Sequence, residues 1–183
     1  TWWLPPTGVQ RGTVYYGEGD PLTPGYPATD SAYRLKEEEA YGLPKIPSHP
    51  IGYQDAEPLL RALAGDDAPP EWQGTLGFTY KIGPLKTDWN IEMIVNNQYT
   101  RAKAVNVIGY ITGSVEPDRY VIMGGHRDAW AYGALDPNTG TAVTVEVARV
   151  LSDFKKNGWR PRRTIVFCSW GAEEFGLVGS YEW

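Results

Sequence analysis

The order strand, strand, helix, strand between Asn106 and Cys168 restricts the fold of this chain more than any other feature. Asn106–Thr112 reads as one strand and Gly113-Ser114-Val115-Glu116-Pro117-Asp118 as the turn after it. Tyr120-Val121-Ile122-Met123 reads as a second strand, running into Gly124-Gly125-His126. Val143, Val147, Val150, Leu151 and Phe154 then recur at helical spacing, which predicts a helix over Thr141–Phe154 ended by Asn157-Gly158. The next run, Thr164–Cys168, is nearly all apolar, as expected for a strand covered on both faces. Strand, helix and strand in succession define an α/β class.

The first hundred residues read differently. Pro, Gly and aromatic residues break them into short apolar runs with turn signals at Asp20-Pro21, Pro24-Gly25 and Pro69-Pro70. Ala56, Leu59, Leu60 and Leu63 predict an amphipathic helix over Gln54–Ala64. Thr75–Lys81 and Ile91–Val95 read as strands, so this part is expected to be irregular and β-rich, with a domain boundary near residue 100. Lys36-Glu37-Glu38-Glu39 reads as a solvated helical face. A chain that starts at Thr1 and stops at Trp183 inside an ordered stretch is expected to be part of a longer protein.

Composition narrows the partners. The net charge of -5 opposes nucleic-acid binding, which needs clustered Lys and Arg. Arg160-Pro161-Arg162-Arg163 is the nearest approach to such a cluster, and it leads into an apolar run as a solvated strand entrance. The lone cysteine, Cys168, sits within that run and reads as a buried thiol. No segment has the ~18 consecutive apolar residues of a membrane span.

Chemistry in open α/β sheets collects at the carboxyl ends of strands. One strand here leads into His126-Arg127-Asp128 and then Leu135-Asp136-Pro137; another leads into Ser169-Trp170-Gly171-Ala172-Glu173-Glu174. Imidazole nitrogen and carboxylate oxygen suit zinc, and Asp128 is spaced to orient the His126 ring from behind. Each residue also has an ordinary reading: a satisfied histidine, an Asp-Pro turn, or carboxylates at a helix start. Pattern alone leaves both readings open. His49, between prolines and without an acidic neighbour, reads as structural.

Longer runs go further. Gly19-Asp20-Pro21-Leu22-Thr23-Pro24-Gly25-Tyr26-Pro27, the stretch from Val115 to Asp128, Gly158-Trp159-Arg160-Pro161-Arg162-Arg163-Thr164-Ile165 and Ala172-Glu173-Glu174-Phe175-Gly176-Leu177 resemble the zinc peptidase family of glutamate carboxypeptidase II and the transferrin receptor. The resemblance extends from near Thr1 to Trp183. It implies a zinc-exopeptidase-like α/β domain with a mixed sheet, of which residues 101–183 are the central part. Residues 1–100 would be the later part of a β-rich apical domain inserted into it.

The same resemblance implies roles. His126 matches a terminal ligand of one zinc ion, Asp136 the carboxylate bridging two ions, Glu174 a ligand of the second ion and Glu173 the general base. The Asp136–Pro137 bond is expected to be cis. Thr23, Tyr26 and Glu182 match positions that bind a structural calcium. Thr13 stands where an Asn helps hold a C-terminal glutamate, and Gly171 replaces an acidic residue. These departures weaken a strict preference for C-terminal glutamate and allow an aminopeptidase or dipeptidyl peptidase.

The family pattern also needs one more Asp and one more His, expected beyond Trp183, so the chain by itself should be inactive and bind zinc weakly. By resemblance the whole protein is a homodimeric, type II membrane-anchored ectodomain on the extracellular face, its anchor outside this segment, acting on small peptides. The rival is a non-catalytic, transferrin-receptor-like binding protein. It should have lost at least one of His126, Asp136, Glu173 and Glu174, and all four are present.

Overall fold

The computed structural model describes residues 4–12 and 14–183, which form two compact units. Of the described residues, one comprises 4–12, 14 and 45–98; the other comprises 15–44 and 99–183.

In the first unit the amphipathic pattern gives helix α1, Tyr53–Arg61. Ala56, Leu59, Leu60 and Leu63 are half-buried while Gln54, Asp55, Pro58 and Arg61 are exposed. Glu57 and Arg61 pair at 2.7 Å across one turn. The two expected strands do not form. Thr75–Lys81 is a series of bends with one bridge, Asp67 to Lys81, and Ile91–Val95 has no regular structure. The backbone explains the first: Gly77 takes a left-handed conformation, and the Gln73 side chain accepts the Tyr80 N–H at 2.8 Å that a neighbouring strand would otherwise use. Ile91 and Ile94 are exposed, so among the described residues nothing covers the second run. Segments 62–68 and 80–86 instead exchange isolated backbone bonds, such as Ala68 to Tyr80 and Ile82 to Asp66.

The second unit holds the α/β part. Its strands are β1, Val107–Ile111, β2, Glu116–His126, and β3, Arg163–Trp170, in the order β1-β3-β2. β3 runs antiparallel to β1 and parallel to β2, so the sheet is mixed. Between β2 and β3 runs helix α2, Asn138–Lys156, which packs on both, the crossover a parallel pair requires. It stops at Asn157, and Gly158 follows at φ 95°, as the Asn-Gly pair predicts.

Thr164, Val166 and Cys168 of central β3 are buried on one face, and Ile165 and Phe167 are half-buried on the other. β2 stays largely exposed because it is an edge strand, with Tyr120, Val121 and Ile122 each at least half accessible. Burial pushes the Cys168 thiol pKa up, in keeping with an inert strand thiol. No helix among the described residues is long and apolar enough to cross a membrane.

Candidate metal centre

Because β2 and β3 are parallel, their carboxyl ends lie at the same edge of the sheet. His126 pairs with Trp170 as the last step of that register, and the Arg127 amide donates to the Trp170 carbonyl at 2.8 Å. Segments that follow these two strands therefore meet. The loop after β2 carries Asp128 and Asp136; the turn after β3 carries Glu173 and Glu174. A short 3-10 helix, Glu173–Phe175, forms that turn and leads into α3, Val178–Glu182.

The His126 ring is the centre of the group, with about a fifth of its side chain exposed. Its Nδ1 lies 2.9 Å from the Asp128 carbonyl oxygen, which can only accept, so Nδ1 carries the hydrogen. Its Nε2 faces Asp136 Oδ1 at 2.9 Å. With Nδ1 protonated, a neutral ring presents a lone pair to that carboxylate, and two acceptors repel. A proton or a cation at Nε2 removes the conflict. His126, Glu173 and Glu174 each bring a ligand atom within 4.8 Å of the others. Asp136 joins them at the ring's Nε2, on an exposed loop just before α2, whose N-terminal dipole favours a carboxylate there. The Asp136–Pro137 peptide is cis.

Charge behaves accordingly. Burial opposes protonation of His126, but the Asp128 carbonyl and the carboxylates of Glu173, Asp136 and Asp128 outweigh it and raise the ring's pKa. Desolvation, then the neighbouring Asp136 and Glu173, raise the Glu174 pKa. A cluster of one imidazole and several carboxylates is a donor set suited to zinc.

Asp128 stands differently from the expectation that it orients the ring. Its main-chain carbonyl meets the imidazole, whereas its Oδ1 is 3.9 Å from Nδ1. Both carboxylate oxygens instead accept backbone amides: Oδ1 from Glu173 at 3.0 Å and Oδ2 from Glu174 at 3.1 Å.

Two further ties hold the segment bearing the glutamates. Asn106, at the entrance to β1, accepts the Gly171 amide at 3.1 Å and donates to the Gly179 carbonyl at 2.7 Å, closing both ends of the loop. Gly19 donates to the Gly176 carbonyl at 2.7 Å. Nothing in the sequence signals the Asn106 tie, since its partners lie 65 and 73 residues away. Gly171 admits the Val105 carbonyl so closely that a Cβ would stand 2.5 Å from it. A shallow cleft of about 280 Å³, lined in part by Gly125, His126, Leu135, Asp136 and Thr139, opens beside the ring.

The oxygen-rich set lies elsewhere in this unit. Glu182 accepts the amides of Asp20 and Ala28, both at 2.7 Å, so its carboxylate rests against the loop that carries Thr23 and Tyr26. Thr23 is fully buried, and its Oγ1 has no hydrogen-bond partner among the described residues. An orphaned buried hydroxyl on a loop held by a carboxylate fits a hard cation. The Tyr26 hydroxyl donates to the Tyr33 carbonyl at 2.7 Å, leaving its own carbonyl as the oxygen it could offer. Thr13 lies outside the described residues.

Comparison with known proteins agrees with this arrangement. The model of peptidase family M28 matches residues 106–183. Across the whole chain, the mouse (Mus musculus) protein named aminopeptidase NAALADL1 is 51% identical, and the chain covers 26% of it. Arabidopsis thaliana has a relative named "Probable glutamate carboxypeptidase LAMP1", 50% identical over 99% of the chain and 26% of that protein. The glutamate carboxypeptidase 2 homolog of Caenorhabditis briggsae is 46% identical over the whole chain and 25% of its own length. The chain thus spans about a quarter of the length of the curated relatives it matches. M28 peptidases are generally zinc-dependent, and the group around His126 offers such a metal ligands. Along its full length the chain is similar to glutamate carboxypeptidase II-like zinc peptidases, and its α/β part matches peptidase family M28.

Proposed function

We propose that this chain carries part of the active site of a co-catalytic two-zinc exopeptidase that hydrolyses small peptides. The observation that carries the reading is the convergence of His126, Glu173 and Glu174 within 4.8 Å, with Asp136 on Nε2 of the same ring. In this reading His126 is a terminal ligand of one ion, Asp136 bridges both and Glu174 serves the second. A further Asp and His come from outside the segment, and without them the chain alone is inactive. Zinc held there would supply a Lewis acid for the scissile carbonyl and acidify a bound water.

The protein's own groups do the rest. Glu173, with about a third of its side chain exposed, is free to take a proton from water and return it to the leaving amine. Such proton transfer contributes roughly a hundred- to ten-thousandfold in rate. The Asp128 carbonyl keeps hydrogen on Nδ1, so Nε2 is the ring's donor atom to metal. The cleft beside His126 and Asp136 gives a peptide its approach.

Relatives bear both aminopeptidase and glutamate carboxypeptidase names, so neither polarity follows from them. Thr13 and Gly171, which depart from glutamate carboxypeptidase II, favour a substrate range wider than C-terminal glutamate. Thr23, Tyr26 and Glu182 form a structural calcium site, supported by the buried, unpartnered Thr23 hydroxyl. Residues 1–100 are assigned to the apical domain and 101–183 to the peptidase domain, except that 15–44 fold with the latter. The whole protein is a membrane-anchored, homodimeric ectodomain on the extracellular face. No observation favours the non-catalytic alternative, which would need one of the four site residues lost.

The test is metal content and hydrolysis of small peptides by the intact protein. Two zinc ions per chain, with activity removed by chelation and restored by zinc, are expected. Full activity without divalent metal would end the proposal.

A further inference from the structure

We infer that the Asp128 carboxylate is a positioning group for the glutamate pair, holding the two backbone amides from which Glu173 and Glu174 project. The inference rests on the proposed roles of those two side chains and adds the device that aims them.

Four observations converge. Each carboxylate oxygen takes one of two successive amides, at 3.0 and 3.1 Å, so Asp128 grips the turn by both prongs. The turn cannot cap itself: its N-cap residue is Ala172, which has no side-chain acceptor. Its backbone also stands in a costly conformation, with Ala172 at φ 56° and Leu177 at φ 55° on either side. Such a turn persists only where its surroundings hold it. Finally, the carboxylate does not serve the ring, since Oδ1 is 3.9 Å from Nδ1 while the carbonyl of the same residue is at 2.9 Å.

One residue thus divides its labour. The main chain sets the imidazole tautomer; the side chain, about a quarter exposed, sets the glutamates through two charge-assisted bonds. The division makes Asp128→Asn informative. Its carbonyl still meets Nδ1, but one oxygen becomes an NH2 group that faces an N–H.

In the intact protein, Asp128→Asn should lower kcat by about ten- to a hundredfold with KM little changed. Combined with Glu173→Gln, it should cost less than the product of the two single losses, because part of its effect passes through Glu173. In metal-free protein the ¹⁵N shifts of the His126 ring should keep the Nδ1–H tautomer in Asp128→Asn. Losses that multiply in the double variant, or a ring that changes tautomer, would overturn the inference. If Glu173→Gln alone left turnover intact, the proposed function would fail while the ring measurement still tested Asp128. Hydrogen exchange of the unaltered protein needs no variant: the Glu173 and Glu174 amides should be protected, and free exchange at both would also refute the clamp.

Discussion

The Nε2 atom of His126 stands 2.9 Å from Oδ1 of Asp136, while Nδ1 of the same ring is engaged by the Asp128 carbonyl. A ring held between a carbonyl and a carboxylate is poised to hold a proton when no metal is present, and its pKa is raised for that reason. The sign of the resulting pH dependence follows. A raised folded-state pKa adds stability that is complete below the unfolded value of about 6.5 and vanishes as pH climbs through the folded value. Chelator-treated protein should therefore lose more stability from His126→Gln at about pH 5.5 than at about pH 8.5. Thermal unfolding at the two pH values measures this. With metal bound the trend reverses, since protons compete for Nε2.

In the proposed function Glu173 takes the proton, so Glu173→Gln in the intact protein should reduce hydrolysis by about a hundredfold or more. Zinc content should stay near that of the unaltered protein. Turnover assays paired with metal analysis check both halves, and unchanged turnover would remove Glu173 from its role.

Asp136 differs because, as the proposed bridge, it would serve both ions. Asp136→Ala should lower zinc stoichiometry as well as activity, by about tenfold or more in metal affinity. Elemental analysis after dialysis decides the matter: a variant that still carried two ions would not have lost a bridge.

Glu182 makes its own prediction, independent of zinc. Its carboxylate holds the Asp20 and Ala28 amides, so Glu182→Ala should cost about 2–4 kcal/mol from two charge-assisted bonds. Added calcium should raise the melting temperature of the unaltered protein and leave that of Glu182→Ala unmoved. Equal calcium responses in the two proteins would exclude Glu182 from the cation site.

The sequence was most legible where periodicity and burial coincide. Helix α2 and central strand β3 follow from spaced valines and an unbroken apolar run, and their ends fall within a few residues of the expected positions. α2 starts earlier, at Asn138, with Pro137 as its N-cap residue. The runs at 75–81 and 91–95 misled for a tertiary reason: a strand exists only with a partner, and a Gln73 side chain took the amide that a partner would have used.

His126 and the glutamates were visible as ionisable groups at strand ends. Their meeting depends on the parallel register of β2 and β3, which no local spacing encodes. The two jobs of Asp128 were hidden more deeply. A side chain's reach across 45 residues is a property of the fold.

The parallel register has a practical side. The proposed metal ligands gather at one rim of the sheet, while at the far rim Glu116 meets Arg162 at 2.9 Å and Arg163 at 3.1 Å. The neighbouring Asn157-Gly158 turn is open to water, although Gly158 itself, at φ 95°, resists a side chain. A dye, affinity tag or surface tether attached at that turn would sit a full strand length from the chemistry. Immobilised or labelled protein prepared that way should behave like the free molecule.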